Sequence, residues 1–282
     1  MNGFQRLSAA EIKDIEAKVY SKIGEKLKSN RILREEVLDL LEQEATLIKY
    51  PIEDDELCAF VCKKKGHIFV YINSYIPKEK QIFAAAHELY HIWFDQERLN
   101  QTEMLKNHTI ENDTEDITEL KANLFAAMFL VPTNVLGDEL RSRGITKEGL
   151  DLADIVKLMS VFYVPYKTIV RRLSEIDFID STKLDEFLQI PDRDPQKGVL
   201  LTRKRLQLSD TTQDRTKDIF FEGLIENAIT AYNRHQISEE QLRSKLALVK
   251  ESPESIGIIE KAEEEDEDLE WERVMGDYDE SK

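Results

Sequence analysis

Several features that mark protein classes are scarce in this chain of 282 residues. Two cysteines are too few for the disulfide-rich scaffolds of small secreted domains. Ten glycines and seven prolines exclude a collagen-like or low-complexity chain. No apolar stretch approaches the ~20 residues that a helix needs to cross a bilayer, and the polar residues 1–7 do not resemble a signal peptide. We therefore expect a cytoplasmic protein with no membrane partner.

Positive charge is also in short supply. Lys and Arg total 39 against 56 Asp and Glu, so the formal net charge at pH 7 is −17. Residues 260–282 alone hold twelve acids and three bases. Such a run is typical of a solvated, disordered tail. A sharper alternative is that the tail mimics DNA to attract a DNA-binding substrate, with Trp271 as an anchoring contact.

Residues 87–91 read His-Glu-Leu-Tyr-His, inside an apolar run over residues 82–94. If this run is helical, His87 and His91 lie one turn apart on one face and can grip a single ion. Glu88 lies beside them, placed to take a proton from a water on that ion. This is the H-E-x-x-H pattern of zinc proteases. A chance match is the alternative, but ionisable groups on an apolar helix are costly to bury without compensation.

A catalytic zinc site needs a third protein ligand and keeps a fourth place for water. The longer pattern with a third histidine downstream fails, because Phe94 and Glu97 stand where it requires glycine and histidine. Asp95 shares the histidine face, but it lies about 12 Å along the helix from His87. Asp95 is therefore better placed as a surface carboxylate or a partner of a ligand, and the third ligand should come from another helix.

Residues 117–132 supply that candidate helix, with helix-like spacing of apolar and small residues and a proline at its end. Glu119, Asn123 and Ala126 fall on one face. A carboxylate followed by small residues suits a helix that packs closely on the histidine-bearing helix and points one acid at the ion. Asn123, one turn below Glu119, could orient a ligand histidine by accepting its free ring N–H. The alternative for Glu119 is a solvated acid at the start of a helix.

The histidine motif is followed by E-x-x-A-N-x-F-A-A from residue 119 and L-V-P from residue 130. This combination resembles the ImmA/IrrE family of bacterial metallopeptidases, clearly over residues 35–137 and more weakly to residue 180. The resemblance implies Zn²⁺ bound by His87, His91 and Glu119, with Glu88 as general base. It also implies a cytoplasmic, site-specific endopeptidase whose targets are usually helix-turn-helix repressors. Tyr90 departs from the family, which often has glycine there, without disturbing the ligands.

The two cysteines fall in one predicted strand over residues 57–62. Residues four apart in a strand are about 13 Å apart, so a disulfide between Cys58 and Cys62 is geometrically poor. Packed, reduced thiols are the favoured interpretation. A second metal site built from Cys58, Cys62 and His67 is the alternative.

The pattern of elements predicts an α+β fold that is mostly helical. A capping box at Ser8 opens an N-terminal helix, and strands are expected at residues 46–50, 59–63 and 68–72. The resemblance implies a zincin-like small antiparallel sheet packed on the metal-binding helices. We predict a metallopeptidase domain at 1–137, a helix-turn-helix-like module at 138–180, a helical region at 181–259 and the acidic tail at 260–282.

A polar connection over residues 95–116 would border the substrate cleft of a peptidase. It contains His108, which is either a surface loop histidine or a hydrogen-bond donor to the tetrahedral intermediate.

The main competing function rests on residues 151–176, where two helices around a Tyr-Val-Pro turn resemble a helix-turn-helix with Arg171 and Arg172 on its second element. A DNA-binding regulator is thus the runner-up. The basic residues of the segment 151–176 are matched by acidic ones, whereas a DNA-binding domain normally carries a basic face. A non-catalytic interaction scaffold is the third possibility, and it requires the ligand set to have no role.

Overall fold

The computed structural model describes residues 7–27, 31–101, 105–107 and 116–258. The chain divides into two compact units, residues 1–222 and residues 223–282. No single helix of the described residues is long and apolar enough to cross a membrane, and only one pair of helices, bent by 46° at Val131 and Pro132, reaches that length when taken together.

The first unit begins with two helices. Helix α1 spans Ala9–Lys22 and runs into a π-helical turn at Ile23–Leu27, and α2 spans Glu36–Glu44. The predicted capping box is present, because Ser8 accepts from the Glu11 amide while the Glu11 carboxylate accepts from the Ser8 amide. Two of the amides left unpaired at the start of α1 are thereby satisfied.

Within the described residues, five strands form one sheet in the order β4-β2-β3-β1-β5. The strands are β1 (Thr46–Tyr50), β2 (Ala59–Lys64), β3 (His67–Asn73), β4 (Leu105–Asn107) and β5 (Phe220–Phe221). Strands β2 and β3 form an antiparallel hairpin around Lys65 and Gly66.

The expectation of a wholly antiparallel sheet was wrong, because β1 lies parallel to β3. The link over residues 51–58 carries the chain across β3, which lies between β1 and β2. Strand β2 then runs antiparallel to β3. Buried Asn73 fixes that link: its Nδ2 donates to the carbonyls of Ile52, Asp54 and Leu57, and its Oδ1 accepts from Ile52 N. Alternating apolar and polar residues predict a strand and its buried face. They do not predict whether the neighbouring strand runs parallel or antiparallel to it.

Helix α3 (Lys78–Phe94) packs against this sheet, and α5 (Ile117–Leu130) packs against α3. The short helix α4 (Gln96–Gln101) follows α3 directly. Alanines bring α3 close to its neighbours, since Ala84, Ala85 and Ala86 of α3 and Ala122 and Ala126 of α5 are all fully buried. Close approach of the two helices is what the small-residue face of α5 predicts.

The helices that follow α5 in the described part of this unit are α6 (Thr133–Ser142), α7 (Leu152–Phe162), α8 (Tyr166–Glu175), α9 (Ser181–Leu188) and α10 (Gly198–Arg205). Helices α7 and α8 are joined by the predicted tight turn, in which Tyr163 ends α7 in the left-handed conformation. Six of the ten residues of α8 are buried. The architecture is α+β and mostly helical, as the sequence predicts.

After α10 the chain returns to the amino end of α3. The carbonyls of Asp214 and Thr212 accept from the amides of Lys78 and Glu79 at 3.0 Å each. The residue before α3 is Pro77, which provides no side-chain cap. Backbone far along the chain therefore satisfies amides that the helix itself leaves unpaired.

The second unit contains α11 (Leu224–Asn233) and α12 (Glu239–Ala247), with a small core of Ala228, Leu242 and Leu246. A capping box between Ser238 and Gln241 begins α12. The acidic tail predicted at residues 260–282 lies outside the described residues.

Candidate metal centre

Helix α3 places two histidines on the face that meets α5. The side chains of His87 and His91 are each 1% exposed. One turn separates them, so their rings lie side by side with centroids 5.0 Å apart. Glu119 projects from the first turn of α5 toward the same point and is 15% exposed.

Three potential ligand atoms converge here. His87 Nε2 lies 3.1 Å from His91 Nε2 and 3.1 Å from Glu119 Oε2, and His91 Nε2 lies 3.6 Å from that same oxygen. Among the described residues, this is the one group of three or more His, Cys, Asp or Glu side chains that could hold a metal ion. The structure therefore brings together the three residues that the sequence predicts as ligands.

The other nitrogen of each ring is held by an acceptor. His87 Nδ1 lies 2.8 Å from Asn123 Oδ1, and His91 Nδ1 lies 3.1 Å from Asp95 Oδ2. An amide oxygen and a carboxylate only accept, so both Nδ1 atoms carry hydrogen. In the neutral rings each Nε2 then presents a lone pair, and these two lone pairs face a carboxylate oxygen. Such a cluster requires a cation or a proton at its centre.

Hydrogen bonds within this cluster favour positive charge on one of its histidines. Burial lowers the pKa of His87. Burial also disfavours charge on His91, yet hydrogen bonds with Asp95 and Glu119 raise its pKa to about 9. For Glu119, burial opposes ionisation, but hydrogen bonds with both histidines hold the pKa of the carboxyl well below its ordinary value. The site is thus an ionised carboxylate facing positive charge.

Glu88 follows His87 on α3, but it takes no part in the hydrogen bonds between the histidines, Glu119, Asn123 and Asp95. Both of its carboxyl oxygens are buried, and no described residue forms a hydrogen bond with either one. Burial raises the pKa of Glu88 to about 8, and the electrostatic influence of Glu119 adds to that increase. A buried carboxyl group without a hydrogen-bond partner destabilises the fold, because its desolvation is not compensated. Such a group therefore points to a functional role.

Arg98 contributes to the site, and the sequence did not indicate it. The Arg98 guanidinium lies 3.4 Å from Glu119 Oε1 and 2.8 Å from an oxygen of Asp116. Arg98 is on α4 and Glu119 is on α5, so no helical spacing connects them. Asn123 lies beside His87, where its helix position predicted it, and Asp95 lies beside His91, which is one of the two interpretations left open for it.

The remaining predicted site residues lie elsewhere. His108 is outside the described residues. Cys58 and Cys62 do not form a disulfide, as favoured from the sequence, and Cys58 is buried while Cys62 is half-buried. The alternative second metal site was wrong for the described residues, because Cys58, Cys62 and His67 do not form a cluster there. His67 pairs with Lys64 at the distal end of the β2–β3 hairpin, far along the strand from Cys58.

Residues 49–174 match the family model described as the IrrE N-terminal-like domain, within the M78 peptidases. The matched segment begins near the end of β1 and ends in α8, so it contains all three converging ligand residues. A search of curated proteins finds no match to the chain.

Proposed function

We propose that the protein is a zinc-dependent endopeptidase, because residues 49–174 match the family model described as the IrrE N-terminal-like domain. His87, His91 and Glu119 are the proposed ligands, and Glu88 is the proposed general base. The observation that carries this proposal is the convergence of two imidazole lone pairs and a carboxylate oxygen, each oriented by a partner on its other side.

The distances between the proposed ligand atoms are compatible with a tetrahedral ion of the size of zinc. Zinc bonds to nitrogen and oxygen at ~2.0–2.1 Å, and tetrahedral geometry then separates neighbouring ligand atoms by ~3.3 Å. The three separations here are 3.1, 3.1 and 3.6 Å. Two histidines and one glutamate are also a donor set that catalytic zinc uses in known peptidases, with a fourth place left for water.

Bound zinc would supply Lewis acidity toward a scissile carbonyl and would activate the attacking water. Glu88 would accept a proton as the water attacks and would later deliver that proton to the leaving amine. Its carboxyl is unoccupied by other hydrogen bonds in the described part of the chain, so it is available for both steps. A divalent cation nearby would lower the raised pKa of Glu88 and favour the ionised, basic form.

We further propose that the substrate is a partner protein, a helix-turn-helix transcriptional repressor cleaved at one site. The resemblance to ImmA/IrrE peptidases supports this choice of substrate. We propose that cleavage takes place in the cytoplasm.

The DNA-binding alternative has less support. In α8, which would be the recognition helix, Arg172 is 1% exposed, and its guanidinium donates to Val131 O and Thr133 Oγ1. Lys167 lies 3.9 Å from Asp192. A helix that reads a groove needs a free face of basic and polar side chains. We expect no salt-sensitive shift of duplex DNA by the wild-type protein, and sequence-specific binding at physiological salt would favour the alternative.

The proposed peptidase activity is tested by co-expressing the protein with a candidate helix-turn-helix repressor and identifying the fragments by mass spectrometry. One discrete cut that is absent with the Glu88→Gln variant supports the proposal. Zinc bound at one ion per chain, with no fragment from a panel of such repressors, would refute the proposed substrate class and retain the metal site.

A further inference from the structure

The two carboxylate oxygens of Glu119 face different groups. Oε2 is the atom near both ligand histidines, at 3.1 and 3.6 Å. Oε1 faces the Arg98 guanidinium, whose Nη1 lies 3.4 Å away. A carboxylate can bind a metal through one oxygen or through both, and the choice depends on what holds the second oxygen.

Arg98 is itself held in place. Its Nη2 donates to Asp116 Oδ2 at 2.8 Å. The other oxygen of Asp116 accepts from the Thr118 amide at 2.8 Å and caps the start of α5. The residue that fixes the first turn of α5 therefore also fixes the guanidinium that meets the ligand on that turn. A planar guanidinium can serve two carboxylates at once with its fork of N–H groups.

We propose that Arg98 is a positioning residue that restricts Glu119 to one metal-ligating oxygen. This inference rests on the proposed metal site. With Oε1 retained by Arg98, Glu119 would present Oε2 alone, and the fourth coordination place would be left for water. Without Arg98, Oε1 would be free to bind the ion beside Oε2 and the water, which would raise the coordination number from four to five. Each of the three ligands would then have its own positioning partner: Asn123 for His87, Asp95 for His91 and Arg98 for Glu119.

A purely electrostatic role for Arg98 makes a different prediction. A positive charge near a cation site repels the ion, so that role depends on the charge and not on the shape of the side chain. Lysine keeps the charge but has one compact ammonium group, which cannot bond Asp116 and Glu119 as the fork does. Arg98→Lys therefore separates positioning from charge.

The experiment uses the full chain, stripped of metal and loaded with Co²⁺, whose visible absorption is strong in four-coordinate sites and weaker in five-coordinate ones. We expect a four-coordinate spectrum from the wild type and weaker, five-coordinate spectra from Arg98→Met and Arg98→Lys. Asp116→Asn, which keeps a helix-capping side chain, should change the spectrum in the same direction because it loosens the anchor of Arg98. Arg141→Met, which removes an exposed arginine paired with Asp138, is the matched control and should leave the spectrum unchanged.

Metal content distinguishes this inference from the proposed function. All these variants should bind one ion per chain, because the three ligands are intact, and circular dichroism should show that they fold. A wild-type spectrum in both Arg98 variants overturns the inference while the metal site stands. A spectrum that changes in Arg98→Met but not in Arg98→Lys assigns the effect to charge and also overturns it. If the wild type binds no cobalt, the metal site and the inference fail together.

Discussion

Asn123 Oδ1 accepts a hydrogen bond from His87 Nδ1 across the α3–α5 interface, at 2.8 Å. The ring of one proposed ligand is thereby oriented by the helix that carries another, Glu119. Ligand geometry at this site consequently depends on how α3 and α5 pack, and both residues are almost fully buried.

Replacing Asn123 should weaken metal binding without removing a ligand. Asn123→Ala leaves the His87 ring free to rotate and its Nδ1–H without an acceptor, so we expect zinc affinity to fall ~10- to 100-fold. Competition with a chromophoric chelator measures this change. Asn123→Asp, which retains an acceptor at the same position, should be closer to the wild type. Equal affinities for all three proteins would contradict an orienting role.

Removing any of the three ligands should abolish stoichiometric zinc. The purified wild type should hold about one zinc per chain, and alanine at position 87, 91 or 119 should reduce this content to near zero by elemental mass spectrometry. His67→Ala is the matched control, because His67 is exposed at the end of a strand. Unchanged zinc content in His91→Ala would rule out the assigned ligand set.

Glu88→Gln should separate binding from catalysis. The amide keeps the shape of the side chain but is not basic, so zinc content and the unfolding temperature of the holoprotein should change little. Loss of a general base typically costs 10²- to 10⁴-fold in rate. The variant should retain its partner protein uncut in a pull-down experiment. Cleavage at nearly the wild-type rate would show that Glu88 is not the base.

The pair formed by Asp210 and Arg203 should make stability depend on pH. Burial alone would raise the pKa of Asp210, but hydrogen bonds from Thr212 and Arg203 lower it from 3.8 to about 2. This stabilisation is therefore complete above about pH 4 and is lost as the pH falls through 2. After a discount for partial exposure, Asp210→Asn should cost about 1–2 kcal/mol at pH 7.

Thermal unfolding of metal-free wild type and Asp210→Asn, measured from pH 7 to pH 2, checks this dependence. The difference between the two proteins should shrink at the acid end of the range. Asp138→Asn is a suitable control, because Asp138 is in an exposed ion pair. A difference that stays constant at every pH would exclude a contribution from ionised Asp210.

Much of the site follows from local sequence patterns. The spacing of His87 and His91 places them on one helical face, and the small residues after Glu119 indicate a helix that packs closely. Asn123 follows from its position one turn from Glu119. These residues are predictable because residues three or four positions apart in one helix lie on the same face.

Relations between elements were not predictable in this way. Arg98 lies on α4 and meets Glu119 of α5 only because α4 follows α3 closely and α5 packs against α3. The parallel pairing of β1 with β3 was also not predicted, because the alternation of apolar and polar residues is the same in parallel and antiparallel strands. The backbone bonds from Thr212 and Asp214 to the start of α3 join residues more than 130 positions apart.

The sequence by itself determined which side chains converge on the proposed ion and which elements carry them. It did so because helical periodicity converts spacing along the chain into position on a face. Only the tertiary structure decided that Arg98 holds Glu119 and that distant carbonyls accept from the amides at the amino end of α3. Most of these contacts join separate segments, and the packing that brings such segments together is a property of the whole core.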